Sequence, residues 1–273
     1  MSRQSVALVT GASSGMGKEI ARQLLSDGFV VYAAARRVDE MQDLEQLGAI
    51  AVKLDITLER DILEVKTQIE QRHGGVDVLV NNAGFGSYGA MEDTTLEDAR
   101  YQFEVNLFGL ARLTQVCLPS MRAKKSGKIV NISSMGGKIY TLLGSWYHAS
   151  KHALEGWSDC LRMELAPFGI DVIVIEPGLI VTEFGNKMIG PMLARSEHSA
   201  YAALAKRMEA ATIRSYTKGG GSPPTVVAQT VSKALKARRP KTRYAVGKLA
   251  KPLIFLRKLC GDRIFDRVIL SST

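Results

Sequence analysis

Tyr147 and Lys151 lie four residues apart in SWYHASKHALEG (145–156), a stretch with helical character. Residues at i and i+4 share one helix face, so the phenol and the ammonium can serve one small volume. A phenol is a poor acid at neutral pH, with a reference pKa of about 10. A neighbouring cation favours the phenolate. The pair is therefore either a tuned proton donor or an ordinary tyrosine beside an ordinary surface lysine, and the rest of the chain has to decide. His148 and His152 flank the pair. No G-x-S-x-G nucleophile elbow accompanies them, so they are expected on the helix surface or at a rim rather than in a Ser-His-Asp triad.

A second candidate is the glycine-rich run TGASSGMG (10–17), between an apolar strand-like segment and a helix-like one. Gly11 suits a tight turn. Gly15 and Gly17 allow backbone to approach a phosphate and the helix to pack on a sheet. The helix start, with Ser13, Ser14 and Met16 around it, offers N–H groups and partial positive charge to a pyrophosphate. The other reading is a purely structural turn. At the end of the second strand-like run stand Arg36 and Arg37, where an acid for a ribose 2′-hydroxyl is expected. Two guanidiniums suit a 2′-phosphate and hence NADP, unless they only solvate a loop. Asp55, followed by Ile56, ends the third run and can reach an adenine.

The elements that would hold these groups alternate. Strand-like runs at 5–10, 29–35, 49–55, 76–84, 128–133 and 170–178 are separated by helix-like segments at 19–28, 39–47, 58–73, 95–124 and 146–166. The runs are apolar without in–out alternation, as in a sheet buried on both faces. Strands alternating with helices imply parallel crossovers. The expected fold is α/β, a doubly wound Rossmann-like parallel sheet with its ligand at the carboxyl ends of the strands. The expected organisation is one domain over 1–246, with a lid at about 183–222, and a basic amphipathic extension over 247–273. KGGGSPP (218–224) reads as a loop.

At 273 residues and 46% hydrophobic content the chain can bury a sizeable core. No apolar run reaches the ~20 residues that span a bilayer, and the start of the chain lacks a secretory pattern. Cys117, Cys160 and Cys260 fit neither a disulfide framework nor a zinc site, so no metal is expected and a cytoplasmic location is. The net charge of +9 is concentrated: residues 233–267 hold 12 Lys or Arg against 2 Asp. Such a segment can attract acidic partners. It lacks the aromatic interleaving of a nucleic-acid binder, and no nucleic-acid partner is expected.

TGASSGMG, Asp55, NNAG (81–84), Asn106 in VNLFG, Ser134 in VNISS, YHASK (147–151) and Pro177-Gly178 occur in that order. On these motifs the chain resembles the short-chain dehydrogenase/reductase family in its compact single-domain form, over roughly residues 4–182. The resemblance implies Tyr147 as proton donor to a carbonyl oxygen, or base in reverse. Lys151 would support it and hold the nicotinamide ribose. Ser134, thirteen residues before Tyr147, would polarise the carbonyl, in preference to its neighbour Ser133. Asn106 would sit in a slight helix distortion and hold a water. It also implies cofactor contacts from Asn82, Ala83, Gly84, Pro177, Gly178, Ile180 and Thr182, a small-molecule carbonyl or alcohol substrate, and a homo-oligomer joined through 95–124 and 146–166.

Ile139, Tyr140, Leu142, Leu143 and Trp146, with Met188, Ile189, Met192, Leu193, Tyr201 and Leu204 of the lid, could line a pocket for a bulky apolar substrate such as a steroid, retinoid or acyl ketone. They could equally be local core. Residues 247–273, with a helix expected to start near Pro252, either close that pocket or pack against a subunit, or rest on a membrane surface; the first pair is favoured. The expected function is an NADP(H)-dependent carbonyl reductase or alcohol dehydrogenase. The alternative is an NADP-binding redox sensor or regulator without turnover, in which Tyr147 and Lys151 would have no work to do together.

Overall fold

The computed structural model describes residues 4–217 and 220–272. Its strands are β1 (Val6–Thr10), β2 (Val30–Ala35), β3 (Ile50–Lys53), β4 (Val78–Asn81), β5 (Gly127–Ile132), β6 (Ile170–Pro177) and β7 (Arg243–Val246). They form one sheet in the order β3-β2-β1-β4-β5-β6-β7, and every pairing is parallel. The order reverses between β1 and β4, so the loops leaving those two strands splay apart and open a crevice. β7 escapes sequence reading because RYAV is a short, half-buried edge strand without an apolar run.

Each residue of β1 is buried, which explains the missing in–out alternation. On one face Ala7 and Val9 pack with Ile20 and Leu24 of α1 (Gly15–Ser26) and with Val227 and Val231 of α9 (Thr225–Lys236). On the other, Val6 and Leu8 pack with Ile62 and Ile69 of α3 (Glu59–His73), Leu113 and Met121 of α5 (Leu110–Lys124), and Leu161 of α6 (Ser145–Leu165). The short α2 (Gln42–Gln46) follows a 3₁₀ turn over 38–41.

The long helix expected at 95–124 is interrupted. α4 (Leu96–Phe103), capped by the Thr95 hydroxyl accepting from the Asp98 N–H at 3.1 Å, runs into a π-turn over Glu104–Gly109 before α5 begins. A Cβ at Gly109 would sit 2.3 Å from the Ile56 carbonyl oxygen, so the glycine lets the helix press against the loop after β3. The distortion expected around Asn106 is this π-turn.

α7 (Phe184–Ser196) and α8 (Ala202–Thr217) cover the carboxyl end of the sheet. Arg195 pins them, donating to the Tyr88 carbonyl at 2.8 Å and to Asp98 at 3.1 Å, while Ser196 and Ser199 both donate to Asp93 at 2.7 Å. In the loop expected at 218–224, residues 218 and 219 lie outside the described residues.

The segment expected as an extension is α10 (Ala250–Ser272), broken at Gly261 (φ 66°). The helix begins two residues before Pro252, whose missing N–H falls among the unbonded donors of the first turn. It is docked. Phe265 is fully buried with Ile139 and Ile269, the Tyr140 hydroxyl donates to Asp266 at 2.8 Å, and the Arg257 guanidinium lies over Tyr140, 5.2 Å from the ring centroid. Among the described residues no helix is long and apolar enough to cross a membrane. Truncating a buried phenylalanine costs ~3–5 kcal/mol, more than such a peripheral docking contact can lose. Phe265→Ala is expected to free residues 250–272 for limited proteolysis while far-UV circular dichroism shows the sheet intact.

Candidate active site

Gly11 and Gly15 both take positive φ (67° and 56°), and together they turn the chain from β1 into α1. A Cβ at Gly17 would sit 2.3 Å from the Gly11 carbonyl oxygen and 2.4 Å from Asn82 Nδ2, so this glycine seats the helix rather than lining the crevice. Asn82 Nδ2 donates to the Thr10 carbonyl at 2.9 Å, and the Thr10 hydroxyl accepts from the N–H groups of Asn82 (3.0 Å) and Ala83 (2.9 Å). The two loops at the switch point are thereby locked together. Two features fit a bound dinucleotide. Ser14, at the N-cap of α1, is extended and its side chain caps nothing, so the helix N–H groups face outward. Asn82 Oδ1 is buried without a partner among the described residues.

The crevice is a cleft of about 420 Å³. Gly11, Ser13, Ser14, Gly15, Met16, Arg36, Arg37, Asp55, Ile56, Asn82, Ala83, Gly84 and Thr182 all border it. Arg36 and Arg37 are exposed at its rim. Arg36 donates to the Tyr101 hydroxyl at 3.3 Å, and Arg37 pairs with Glu40 at 2.6 Å. Asp55 accepts from the Thr57 N–H at 3.0 Å and hydroxyl at 2.8 Å, which holds its carboxylate at the cleft edge.

A second cavity of about 330 Å³ adjoins the first and is bordered by Ser134, Tyr147, Lys151, Pro177, Gly178, Ile180 and Thr182. Lys151 is buried, and its Nζ donates to the Ile132 carbonyl at the end of β5 at 2.9 Å. Burial pushes its pKa down to about 8, against the opposing charge of Glu155 one turn along α6. Ser134 Oγ accepts from the Gly136 N–H at 2.9 Å. The two adjacent serines diverge: a Cβ at Gly136 would approach Ser134 Oγ and His148, whereas one at Gly137 would approach Ser133 Oγ and Glu155. Both serines border the cavity, with Ser134 Oγ on the His148 side of the loop and Ser133 Oγ towards the buried acid behind it.

Asn106 borders neither cavity. Its Oδ1 accepts from the Phe85 N–H at 3.1 Å, and its Nδ2 donates to the Phe85 carbonyl at 3.0 Å and to Ser150 Oγ at 3.1 Å. Ser150 Oγ in turn donates to the Tyr147 carbonyl at 2.8 Å. Asn106 therefore ties the loop after β4 to the turn of α6 that carries Tyr147. Gln102, one turn earlier, grips the same loop through the Phe85 carbonyl (2.8 Å) and the Ser87 N–H (2.6 Å).

His148 is not at a surface or rim; it is buried against Tyr88 and Tyr147 and borders the second cavity. Its Nε2 accepts from the Thr141 N–H at 3.0 Å, so the ring proton sits on Nδ1 and is donated to the Gly136 carbonyl at 2.9 Å. The ring staples both ends of the Ser134–Gly144 loop. Burial lowers its pKa to about 4. His152 is exposed, as expected.

Sequence reasoning passes over several residues here. Phe184 borders both cavities and stacks on Tyr147 with centroids 5.6 Å apart, in space left by Gly86, whose Cβ would lie 2.4 Å from that ring. Tyr88, Met208, Leu253 and Ile269 also wall the second cavity. None carries a local signal, because they converge from different elements. Of the apolar residues expected to line a pocket, Ile139 and Met188 do, Leu142, Leu143, Ile189 and Met192 pack around Tyr147, and Tyr140 packs beneath α10. Trp146 points instead towards Phe103.

Behind Lys151 lies a buried charged layer. Glu155 accepts from Lys138 at 3.0 Å and from Arg243 at 2.9 Å. Glu176, just before Pro177, has its pKa raised to about 7 by burial and by repulsion from Glu155.

The His148 proton balance gives a stability prediction. Its folded pKa (about 4) lies below the ordinary value of 6.5, so the imidazole's stabilising contribution is complete above pH 6.5. That contribution is lost progressively as pH falls from 6.5 to 4. In urea unfolding, His148→Gln is expected to lower stability by ~1–3 kcal/mol at pH 7.5, with the gap to the parent protein narrowing on acidification to pH 5.

The short chain dehydrogenase family model matches residues 5–190. A Helicobacter pylori protein named as a probable short-chain type dehydrogenase/reductase, VdlC, is 34% identical over 96% of this chain and 95% of its own length. A 3-ketodihydrosphingosine reductase of Bacteroides thetaiotaomicron is 34% identical over 91% and 90% of the two chains. An NADPH-dependent 3-dehydrocapnine reductase of Ornithobacterium rhinotracheale is 33% identical over 96% and 95%. A short-chain dehydrogenase from Streptomyces avermitilis superposes with a TM-score of 0.79 at 36% identity, covering 93% of this chain and 92% of that one. With this fold, these motifs and these relatives, the chain belongs to the short-chain dehydrogenase family of nicotinamide-dependent oxidoreductases.

Proposed function

We propose that the protein is an NADP(H)-dependent oxidoreductase that interconverts a bulky apolar ketone or aldehyde with its alcohol. The observation that carries the reading is the meeting of Ser134, Tyr147 and Lys151 in one cavity adjoining a glycine-floored cleft with two arginines at its rim. The cofactor supplies or accepts the hydride.

In this reading Gly11, Ser13, Ser14, Gly15 and Met16 hold the pyrophosphate at the start of α1, with Gly17 seating the helix. Arg36 and Arg37 hold the 2′-phosphate. Asp55, Ile56, Asn82, Ala83 and Gly84 flank the adenosine, and Pro177, Gly178, Ile180 and Thr182 the nicotinamide. Ser134 donates a hydrogen bond to the substrate carbonyl oxygen, and Tyr147 gives that oxygen its proton. The Lys151 cation favours the charge Tyr147 acquires on doing so. Asn106 positions α6 through Ser150.

The apolar substrate class is supported by the wall of the second cavity, where Met188, Met208, Phe184, Leu253 and Ile269 face the polar group of three. Two relatives are named as reductases of 3-ketodihydrosphingosine and 3-dehydrocapnine, the latter NADPH-dependent. A homo-oligomer joined through the outer faces of residues 95–124 and 146–166 is part of the same reading, supported by the exposed Phe108 of the π-turn and Met163 of α6. Residues 250–272 serve as the rear wall of the cavity.

The test is a panel of long-chain and polycyclic ketones with NADPH and with NADH, read at 340 nm. Turnover is expected with NADPH. Tyr147→Phe should lower kcat by ~10²–10⁴-fold, and retained activity in that variant would remove the mechanism. Replacing Arg36 and Arg37 by Ala should raise KM for NADPH by ~10–100-fold and leave KM for NADH unchanged. The Lys151 pKa adds a pH signature. The ammonium is charged below about 8 and lost above it, so kcat/KM for reduction should be flat below pH 7 and fall about tenfold per unit above pH 8.

A further inference from the structure

We infer that the outer face of α10 docks on an anionic lipid surface. Its inner face is spoken for: Leu253 and Ile269 wall the second cavity, and Phe265 is buried against Ile139. Its outer face is not. Phe255, Leu259, Ile264 and Leu270 are large apolar side chains, each about half to two-thirds exposed (64%, 64%, 49% and 61%). Four such residues on one element exceed the scattered singles normal on a protein surface.

The spacing places three of them, Phe255, Leu259 and Leu270, on the same helix faces as exposed cations. Before the break at Gly261, Lys251, Phe255, Lys258 and Leu259 recur at i, i+4, i+7 and i+8, one helix face. After it, Arg263, Arg267 and Leu270 recur at i, i+4 and i+7. Lys251, Lys258, Arg263 and Arg267 are all exposed, and none pairs with a carboxylate among the described residues. The two acids of the segment are engaged by the protein itself: Asp262 with Arg257, and Asp266 with the Tyr140 hydroxyl. Apolar side chains interleaved with unpaired cations, the two acids being tied to Arg257 and Tyr140 of the protein itself, are what a helix lying in the plane of a negatively charged membrane presents.

Charge chooses this occupant over a second copy of the chain. A two-fold contact through this face would set its cations against the same cations of the partner. An anionic lipid headgroup layer instead meets each of them with an opposite charge. The docking does not depend on the proposed activity. Its consequence for that activity is that the helix walling the cavity would lie between the cavity and the lipid, so an apolar substrate dissolved in the membrane would be close at hand.

The test is flotation of the full-length protein with vesicles of phosphatidylcholine alone and of phosphatidylcholine with 30% phosphatidylserine. The protein is expected to float with the second and stay largely in the soluble fraction with the first, and 0.5 M salt should weaken the binding. Phe255→Ser with Leu259→Ser, and separately Lys251→Glu with Lys258→Glu, should each lower the bound fraction about tenfold. Circular dichroism and thermal midpoint should match the parent, which separates lost docking from lost folding. Loss of the proposed reductase activity would leave these readouts untouched. Failure of the parent protein to float with anionic vesicles overturns the inference, as does flotation indifferent to both pairs of substitutions. A Phe255→Ser, Leu259→Ser protein that drops to a smaller assembly by light scattering would also overturn it, by identifying the face as a subunit contact.

Discussion

A hydrogen bond from a buried ammonium to a strand-end carbonyl governs the half of this molecule built around Tyr147. Lys151 Nζ reaches the oxygen of Ile132, the last residue of β5, at 2.9 Å. That bond pins the start of α6 over the carboxyl end of the sheet, which fixes where Tyr147 stands one turn earlier. Burying an ammonium is costly unless charge and hydrogen bonds compensate. Here the compensation comes from Ile132 and from Glu155, itself held by Lys138 and Arg243. The Lys151 cation thus rests on a charged layer that reaches as far as β7.

The other half depends on close approach between backbones. Gly11, Gly17 and the Asn82 amide occupy a volume in which one added methyl group would collide with a carbonyl oxygen or the amide nitrogen. Protein interiors have little slack to absorb such a collision. Thr10 and Asn82 convert the approach into hydrogen bonds, so the β1 and β4 loops move as one. The crevice at the switch point is therefore bound into the sheet, whereas α7 is tied to the loop after β4 and to α4 through hydrogen bonds of Arg195, Ser196 and Ser199.

Between these halves sits a set of polar side chains whose work is positioning. Asn106, Gln102 and His148 each satisfy backbone groups of the two loops that flank the second cavity, and Ser150 links Asn106 to the Tyr147 carbonyl in α6. In a buried site, an amide or imidazole that pairs a loop's N–H and C=O groups removes alternatives to one loop conformation. The neutral state of His148 follows from its burial, which outweighs the hydrogen bond to the Gly136 carbonyl.

The fold class was readable from local pattern, and so were residues that the structure gathers at the two adjoining cavities. Apolar runs without alternation dictate a sheet covered on both faces. A glycine triplet between strand and helix dictates a close turn, and an i, i+4 Tyr–Lys pair dictates a shared face. Boundaries and roles that depend on neighbours distant in sequence were not readable. The distortion at Asn106 was implied by the family resemblance alone; its contacts, Asn106 with Phe85 and Gly109 against Ile56, came only with the fold. His148 looks like a surface residue until the 134–144 loop folds over it. β7 has too little apolar content to announce itself, and the docking of α10 is decided by where Ile139 and Tyr140 lie. Periodicity reports how an element meets a face; which residues fill that face is settled only when chain segments far apart in sequence are packed together, since burial and hydrogen-bond partnership are properties of the assembled neighbourhood.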